Sequence, residues 1–324
     1  MTMNTPKAIT VESAASAWLR HLETRKRRPA KPATLQTFRS HVNRILPRLG
    51  QLEVGSVGVA VLRDFISELD RDGLSAKTQI EIAGTVKQII RSCVSAEGEP
   101  LYPIHALTNE RLDLPIVNPS AQNTPIVTRE QIEQAIANSD EANQCLLACL
   151  AGSGLRVGEL LAIKLSEDGV STVFDFSAAT IRVRRSLWHG CEQAPKTAAS
   201  VRDIEIPRSL AAILSQFAGS RSGYLFGNGA PLKESTAREY LAEQNLPPFH
   251  AFRRFFISHR RANGMPEEIL RTLVGHASSN MTDRYSRFGT DAAYAAQRRE
   301  WVERCGLGFT LPPSSSQEQK ATFR

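Results

Sequence analysis

Between Ala96 and Val127 the spacing of apolar residues stops being helical. The run EGEPLYPIHALTNERLDLPIVNPSAQNTPIV mixes Pro100, Pro103, Pro115, Pro119 and Pro125 with polar residues, and neither a helical nor a strand period carries across it. A chain interrupted in this way folds as two bodies joined by a linker. The length agrees: 324 residues correspond to about two domains, each large enough to bury a core. The spacing predicts domains over 1–97 and 128–305, a linker over 98–127, and a Ser-, Pro- and Gln-rich tail over 306–324 that reads as largely disordered.

Before the interruption, four apolar stripes have helical spacing. They span Thr10 to about Arg25, Thr34 to Leu49, Val57 to Asp70 and Ala76 to Val94, which makes a small all-α domain. The first helix opens near residue 9, so an additional amino-terminal domain is not expected. Charge is distributed unevenly over this half. Residues 1–48 hold Lys7, Arg20, Arg25, Lys26, Arg27, Arg28, Lys31, Arg39, Arg44 and Arg48 against only Glu12 and Glu23, whereas residues 49–115 carry more acids than bases. The whole chain has a net charge of +7 and a pI near 9.3. A basic segment on a neutral or acidic scaffold fits one face turned towards a polyanion such as DNA. Arg25, Lys26, Arg27, Arg28, Lys31, Arg39 and Arg44 are the candidate DNA-binding residues. A solvated loop at a helix C-terminus accounts for RKRRPAK equally well.

Two further observations exclude whole classes. No apolar run approaches the about 18 residues of a membrane span, and the polar start MTMNTPKAIT lacks the apolar core of a signal peptide, so the chain reads as cytoplasmic. The five cysteines are odd in number and scattered, which argues for reduced thiols. Cys145 and Cys149 share a helix face without a second ligand pair nearby and read as core residues, so no metal site is expected.

In the second half, Thr128 to Gln131 forms a capping box ahead of Ile132 and Ala135. A buried helix over Glu141 to Leu150 ends at Gly152-Ser-Gly154, and Arg156 opens the next. GSGLRVGE lacks the Lys and Ser/Thr of a nucleotide-binding loop, so ATP is not expected. TIRVRRSL (Thr180 to Leu187) and VRDIEI (Val201 to Ile206) alternate as strands, and Lys196 lies in the connection between them. The remaining segments, from Pro207 to Cys305, read as helices. One of them, Phe249 to Ala262, carries His250 and Arg253 three residues apart, able to share a face. Gly275-His276 follows another, and Tyr285 lies about two turns into the next.

Taken together, GSGLRVGELL around Arg156, PKTAASVRDIEIP around Lys196, HAFR at His250 and Arg253, and VGHASSNMTDRY at His276 and Tyr285 resemble the phage integrase, or tyrosine recombinase, family in order and spacing. Gly158, Phe252 and Arg254 depart from its common pattern without removing a matched group. The resemblance implies a mainly α fold with a small antiparallel β-sheet in the catalytic domain: an all-α, SAM-like core-binding domain followed by an α+β catalytic domain. It implies a site-specific recombinase that breaks and rejoins DNA through a 3′-phosphotyrosyl link, using no cofactor. Tyr285 would be the nucleophile and Arg156 and Arg253 the phosphate clamp. Lys196 would be the acid for the leaving 5′-oxygen, His250 the proton acceptor, His276 a hydrogen-bond donor and Glu159 a supporting carboxylate. The implied partners are double-stranded DNA and further copies of the chain in a tetrameric synapse, with accessory DNA-bending or directionality proteins as further candidates. A topoisomerase-like DNA-relaxing enzyme and a noncatalytic DNA-binding protein on the same scaffold are the alternatives. The last amphipathic segment, Asp291 to Cys305 followed by Leu307, Phe309 and Leu311, has two readings: packing on its own domain, or docking on a neighbouring protomer, which the resemblance favours.

The basic run generates a test. Neutralising Arg25, Lys26, Arg27 and Arg28 together should weaken binding to every DNA sequence and lower the slope of log K against log salt by about 0.9 for each phosphate no longer neutralised. A slope that does not change would assign the run to the solvated loop.

Overall fold

The computed structural model describes residues 9–27, 29–117, 125–195, 198–219, 221–276 and 292–311. Arg28, Lys196 and Tyr285 therefore lie outside the described residues, as does the helix read to carry Tyr285. The chain divides into two compact units near residue 122.

The first unit is a helical bundle of α1 (Val11–Thr24), α2 (Pro32–Leu49), α3 (Val59–Arg71) and α4 (Ala76–Arg91). Thr10 and Ser75 cap α1 and α4 through their hydroxyls, and Pro32 supplies the preset φ at the start of α2. The inner faces are those read from the spacing: Val11, Ala14, Ala15, Trp18 and Leu22 from α1 meet Val42 and Ile45 from α2 and the Leu62, Phe65, Leu69 stripe of α3. Of the candidate DNA-binding residues, Lys26, Arg27, Lys31, Arg39 and Arg44 are exposed and Arg25 is half-buried, while Arg39 is ion-paired with Glu23. The stretch read as linker is partly structural. Leu107, Leu112 and Leu114 are buried in this core, because single leucines between prolines fill gaps that no helical period would reveal.

The second unit surrounds α6 (Glu141–Ser153), whose residues from Cys145 to Ser153 are all buried. α5 (Arg129–Ala137) opens with the capping box, both of its hydrogen bonds being made. Burial among apolar neighbours pushes the Cys145 and Cys149 thiols up to about 12, in keeping with a core role. After the short α7 (Val157–Leu161) come β1 (Ile163–Lys164), β2 (Thr172–Asp175) and β3 (Thr180–Val183). A hairpin of β4 (Ser186–Trp188) and β5 (Cys191–Gln193) follows, then β6 (Arg202–Glu205). The main sheet has the order β1-β2-β3-β6; β2, β3 and β6 are antiparallel as expected, but β1 pairs in parallel with β2, so the sheet is mixed. The single strand read over Thr180 to Leu187 is broken. The Thr172 hydroxyl accepts from the backbone N–H groups of Arg184 and Arg185 and donates to the Arg185 carbonyl, ending β3 and starting a separate hairpin.

Helices α8 (Arg208–Ala218), α9 (Glu234–Glu243), α10 (His250–Ala262) and α11 (Glu267–Val274) complete the body, with a small pairing of β7 (Gly227–Asn228) and β8 (Ala230–Pro231). The last helix, α12 (Ala292–Cys305), docks on its own unit rather than standing free for a neighbour. Its inward residues are Arg298, Val302 and Cys305, while Ala296 is exposed. Arg298 meets Glu205 of β6 through two hydrogen bonds of 2.9 and 2.6 Å, and Glu303 accepts from the Arg208 N–H at the start of α8. Beyond the helix, Leu307 and Phe309 are buried, so the tail does not begin at residue 306. His259 of α10 is half-buried and bonds the Cys305 carbonyl at 2.8 Å.

One core position breaks the apolar rule. Arg260 on α10 is 0% exposed, none of its guanidinium nitrogens has a hydrogen-bond partner among the described residues, and its charge rests on the Phe256 ring at 3.8 Å. An unpaired buried cation costs several kcal/mol, of which the ring returns only about 1–2. Arg260→Met keeps the stem and removes the charge, and should raise Tm by about 3–8 °C. A lower Tm would show that the charge is satisfied within the folded unit.

Candidate active site

The site is assembled where four segments meet, and glycines set two of its corners. α6 ends at Gly154 in a left-handed conformation (φ 66°), and a Cβ there would lie 2.6 Å from the Phe256 ring. Only glycine combines this dihedral with that close approach. The reversal starts α7 immediately, with Arg156 as its N-terminal flanking residue. α11 ends similarly at Gly275 (φ 66°), where a Cβ would approach the Ala199 carbonyl and the Arg202 side chain at 3.0 Å. That proximity brings the turn after the β4–β5 hairpin against the backbone that presents His276. Gly158 has a similar explanation. A Cβ would meet the Leu187 carbonyl at 2.5 Å, so glycine lets the hairpin pack directly on α7.

Arg156 and Glu159 form one side of the site. The Glu159 carboxylate accepts from the Arg156 backbone N–H at 3.0 Å and from its Nη1 at 2.9 Å, capping α7 while holding the guanidinium. The Arg156 side chain is 43% exposed, so its outer edge faces solvent. Glu159 is buried. Burial would raise its pKa, but hydrogen bonds and charge from Arg202, then the Arg156 N–H and charge, outweigh it and hold the carboxyl below its usual range.

Arg253 is held differently. Only 2% exposed, it donates from Nη1 to the Gly154 carbonyl at 2.6 Å and from Nη2 to the Val274 carbonyl. These oxygens belong to the C-terminal ends of α6 and α11, where the helix dipole is negative. Two dipole ends orient the guanidinium without cancelling its charge. Burial first, then Arg156 and Arg202, push its pKa down to about 10, still well above neutrality. Of the two adjacent arginines it is Arg253 that turns inward. Arg254 reaches the Pro125 carbonyl instead.

His250, the first residue of α10, and His276, just past Gly275, are exposed. The pKa of each is lowered by partial burial and then by arginines: Arg254, Arg253 and Arg156 act on His250, and Arg253, Arg156 and Arg202 on His276, partly opposed by Glu267. Four of the six residues read as catalytic, Arg156, His250, Arg253 and His276, thus lie within one electrostatic environment. Lys196 and Tyr285 fall outside the described residues. The sequence reading missed Arg202, which is buried beside Glu159. The signal was present in VRDIEI, where Arg202, Ile204 and Ile206 occupy alternate positions of one strand face, so that an arginine stands in line with the core. Three guanidiniums, two of them bonded to Glu159, against this one carboxylate leave the cluster positive, and an oxyanion is the ligand that such a cluster suits.

The phage integrase family profile matches residues 125–290, which covers α5 to α11 and the segment holding Tyr285. The chain belongs to this family, that of the tyrosine recombinases. Similar proteins include a tyrosine recombinase XerC-like protein of Caldanaerobacter subterraneus subsp. tengcongensis, 24% identical over 296 residues, covering 78% of this chain and 73% of the relative. Another is tyrosine recombinase XerC of Brucella suis biovar 1, 25% identical over 308 residues, covering 88% of this chain and 93% of the relative. The fold is shared with the Tn1549 transposon integrase solved with a circular intermediate DNA (TM-score 0.65, 21% identity, 90% of this chain and 100% of that one). It is shared too with a lambda integrase tetramer bound to a Holliday junction (TM-score 0.60, 17% identity, 86% and 81%). Among the described residues no helix is long and apolar enough to cross a membrane.

The electrostatics can be tested in the free protein. Both imidazoles should titrate below pH 6.5 by NMR and be neutral at pH 7, and Arg156→Gln should raise both values because its charge acts on each. If neither value moves, the histidines do not sense Arg156.

Proposed function

We propose that this family member is a site-specific DNA recombinase that breaks and rejoins strands through Tyr285. The observation that carries the reading is the state of Arg253: fully buried, oriented by two helix C-termini, and left with its positive charge beside the half-exposed Arg156. Such a pair stabilises the charge that builds on the nonbridging oxygens of a phosphodiester under attack.

In this mechanism the Tyr285 hydroxyl oxygen attacks phosphorus while the bond to the 5′-oxygen breaks. The products are a 3′-phosphotyrosyl link and a free 5′-hydroxyl. The phenolic proton passes to His250, whose surroundings lower its pKa and so favour the neutral form that can accept it. Lys196 gives a proton to the departing 5′-oxygen, and His276 donates a hydrogen bond to a nonbridging oxygen. A 5′-hydroxyl from another strand reverses the step. The phosphotyrosyl link retains the bond energy, so no nucleotide is consumed. Exchange of paired strands calls for several copies of the chain on DNA, and the lambda integrase tetramer on a Holliday junction supports a tetramer here. Work on chromosomal or element DNA in the cytoplasm, with accessory DNA-bending or directionality proteins, fits the same role.

The deciding experiment uses a nicked duplex carrying the sequence that the wild-type protein selects from a random pool. Wild type should accumulate a covalent protein–DNA adduct, whereas Tyr285→Phe should bind the duplex and form none. An adduct at the wild-type level in that variant would move the nucleophile elsewhere, first to Tyr294. Lys196→Ala should cleave slower by about 10²–10⁴, and a bridging 5′-sulfur, which needs no acid to leave, should restore most of that activity. Without such recovery Lys196 would belong to binding rather than proton transfer.

A further inference from the structure

Three of the segments that build the site are separate in sequence: the corner at Gly154 to Arg156, the turn after the β4–β5 hairpin, and the end of α11. A single side chain bonds the last two directly and reaches the first through Glu159, which caps Arg156. Arg202, at the first position of β6, has a side chain only 3% exposed. It donates from Nη1 and Nη2 to the two oxygens of Glu159 at 3.1 and 2.9 Å, from Nη1 also to the Ser200 carbonyl at 2.9 Å, and from Nε to the Leu273 carbonyl at 2.8 Å. Its Cδ and Cζ fill the space that a Gly275 side chain would need.

A buried ion pair by itself is weak evidence of anything beyond packing, since apolar residues of similar volume often serve stability as well. What distinguishes this pair is the third member. Glu159 carries one negative charge and faces two guanidiniums, Arg202 from the interior and Arg156 from the open side. Were Arg202 neutral, the whole charge of Glu159 would fall on Arg156, pulling it inward and cancelling the charge that an incoming phosphate must meet. With Arg202 present, the interior pair is nearly neutral and Arg156 keeps its charge on the exposed side. Coulomb energies in a partly buried site are several times those in water, so this redistribution matters for an oxyanion at Arg156.

We propose that Arg202 is a positioning residue for strand cleavage: it neutralises Glu159 so that the charge of Arg156 is available to the scissile phosphate, and it fixes the α11 end that presents His276. The proposal rests on the recombinase reading for its reaction, but the electrostatic part stands on the cluster alone. It makes a signed prediction about a double variant. If Arg202 acts by neutralising Glu159, removing the carboxylate charge should repair part of what removing Arg202 damages. A merely structural pair predicts that any repair follows stability alone, so that cleavage and phosphate binding recover only as far as Tm does.

Two measurements on the full chain test this, with Tm and duplex affinity recorded for each variant. The first titrates inorganic phosphate against the free protein and follows the His250 and His276 resonances. Arg202→Met should weaken phosphate binding about tenfold or more, and Arg202→Met with Glu159→Gln should recover a large part of it. The second measures adduct formation on the nicked duplex. Arg202→Met should slow it about 10²-fold at nearly unchanged duplex affinity, and the double variant should be faster than the single one. Phosphate binding unaffected by Arg202→Met, no phosphate binding by wild type, or a folded double variant no better than the single one overturns the proposal. Should Arg202→Met fail to fold, Arg202→Lys decides. Keeping the charge, it should cleave within about tenfold of wild type, and a folded Lys variant slowed about a hundredfold refutes charge compensation. Failure of the recombinase reading would look different: wild type would form no adduct, while the phosphate titration would still show the Arg202 and Glu159 dependence.

Discussion

The second unit depends on a buried cation that is held by backbone carbonyls and, among the described residues, bonded by no carboxylate. Arg253 joins α10 to the ends of α6 and α11 through the Gly154 and Val274 carbonyls, and both helices stop where they do because a glycine follows in the left-handed conformation. A carboxylate could bind the guanidinium more strongly, but it would also consume the charge. Carbonyls at helix ends give direction and partial compensation only. The fold thereby reconciles two demands that normally conflict, desolvating a charged group and leaving it free of a bonded carboxylate among the described residues. The cost is spread over two helices, α6 and α11, that must end at fixed positions, and each is sharply terminated by its glycine.

Much of this arrangement was legible in the sequence because it rests on local rules. The capping box at Thr128 and Gln131, the break at Gly154, the register of His250 and Arg253 and the turn at Gly275 each follow from a few neighbouring residues. The failures share a cause. Arg202, Arg260 and Arg298 occupy core-facing positions, where a reading by hydropathy assigns arginines to solvent. Two of the three are inside because a carboxylate distant in sequence meets them, and no local pattern contains the partner. β2 was missed for a related reason. Four residues buried largely on both faces show no alternation, and only pairing with β3 and β1 defines them. The Thr172 hydroxyl that ends β3 acts from a dozen residues upstream, so the break within TIRVRRSL is invisible in the run itself.

The C-terminal segment shows how a short amphipathic helix finds a site without a wide apolar face. α12 offers Val302 and Cys305 to the core but relies on Arg298 and Arg299 for its directional bonds. Arg298 takes the Glu205 carboxylate, and Arg299 bonds the Ile206 carbonyl at 2.6 Å and the Ala179 carbonyl at 2.9 Å. Leu307 then lies over Gly152, and His259 takes the Cys305 carbonyl. Directional bonds of this kind define one register, whereas a few small alanines would permit several.

These bonds converge on one strand. β6 has only four residues, and alternation along it turns Arg202 and Ile204 to one side and Asp203 and Glu205 to the other. Arg202 engages Glu159 and the end of α11; Glu205 engages Arg298 of α12. The strand that bonds Glu159, and through it Arg156, is therefore also the strand to which the last helix is anchored. Its pairing with β3, including Val183 opposite Arg202 and Thr180 opposite Glu205, holds both residues in register. A displacement of α12 that draws Glu205 along the strand direction must act on a backbone rigidly hydrogen-bonded over those same residues, because an antiparallel ladder shifts by whole registers and not by fractions of one. The site and the C-terminal helix thus share a mechanical element by construction, and the buried ionic pairs on its two faces are the points at which each is attached.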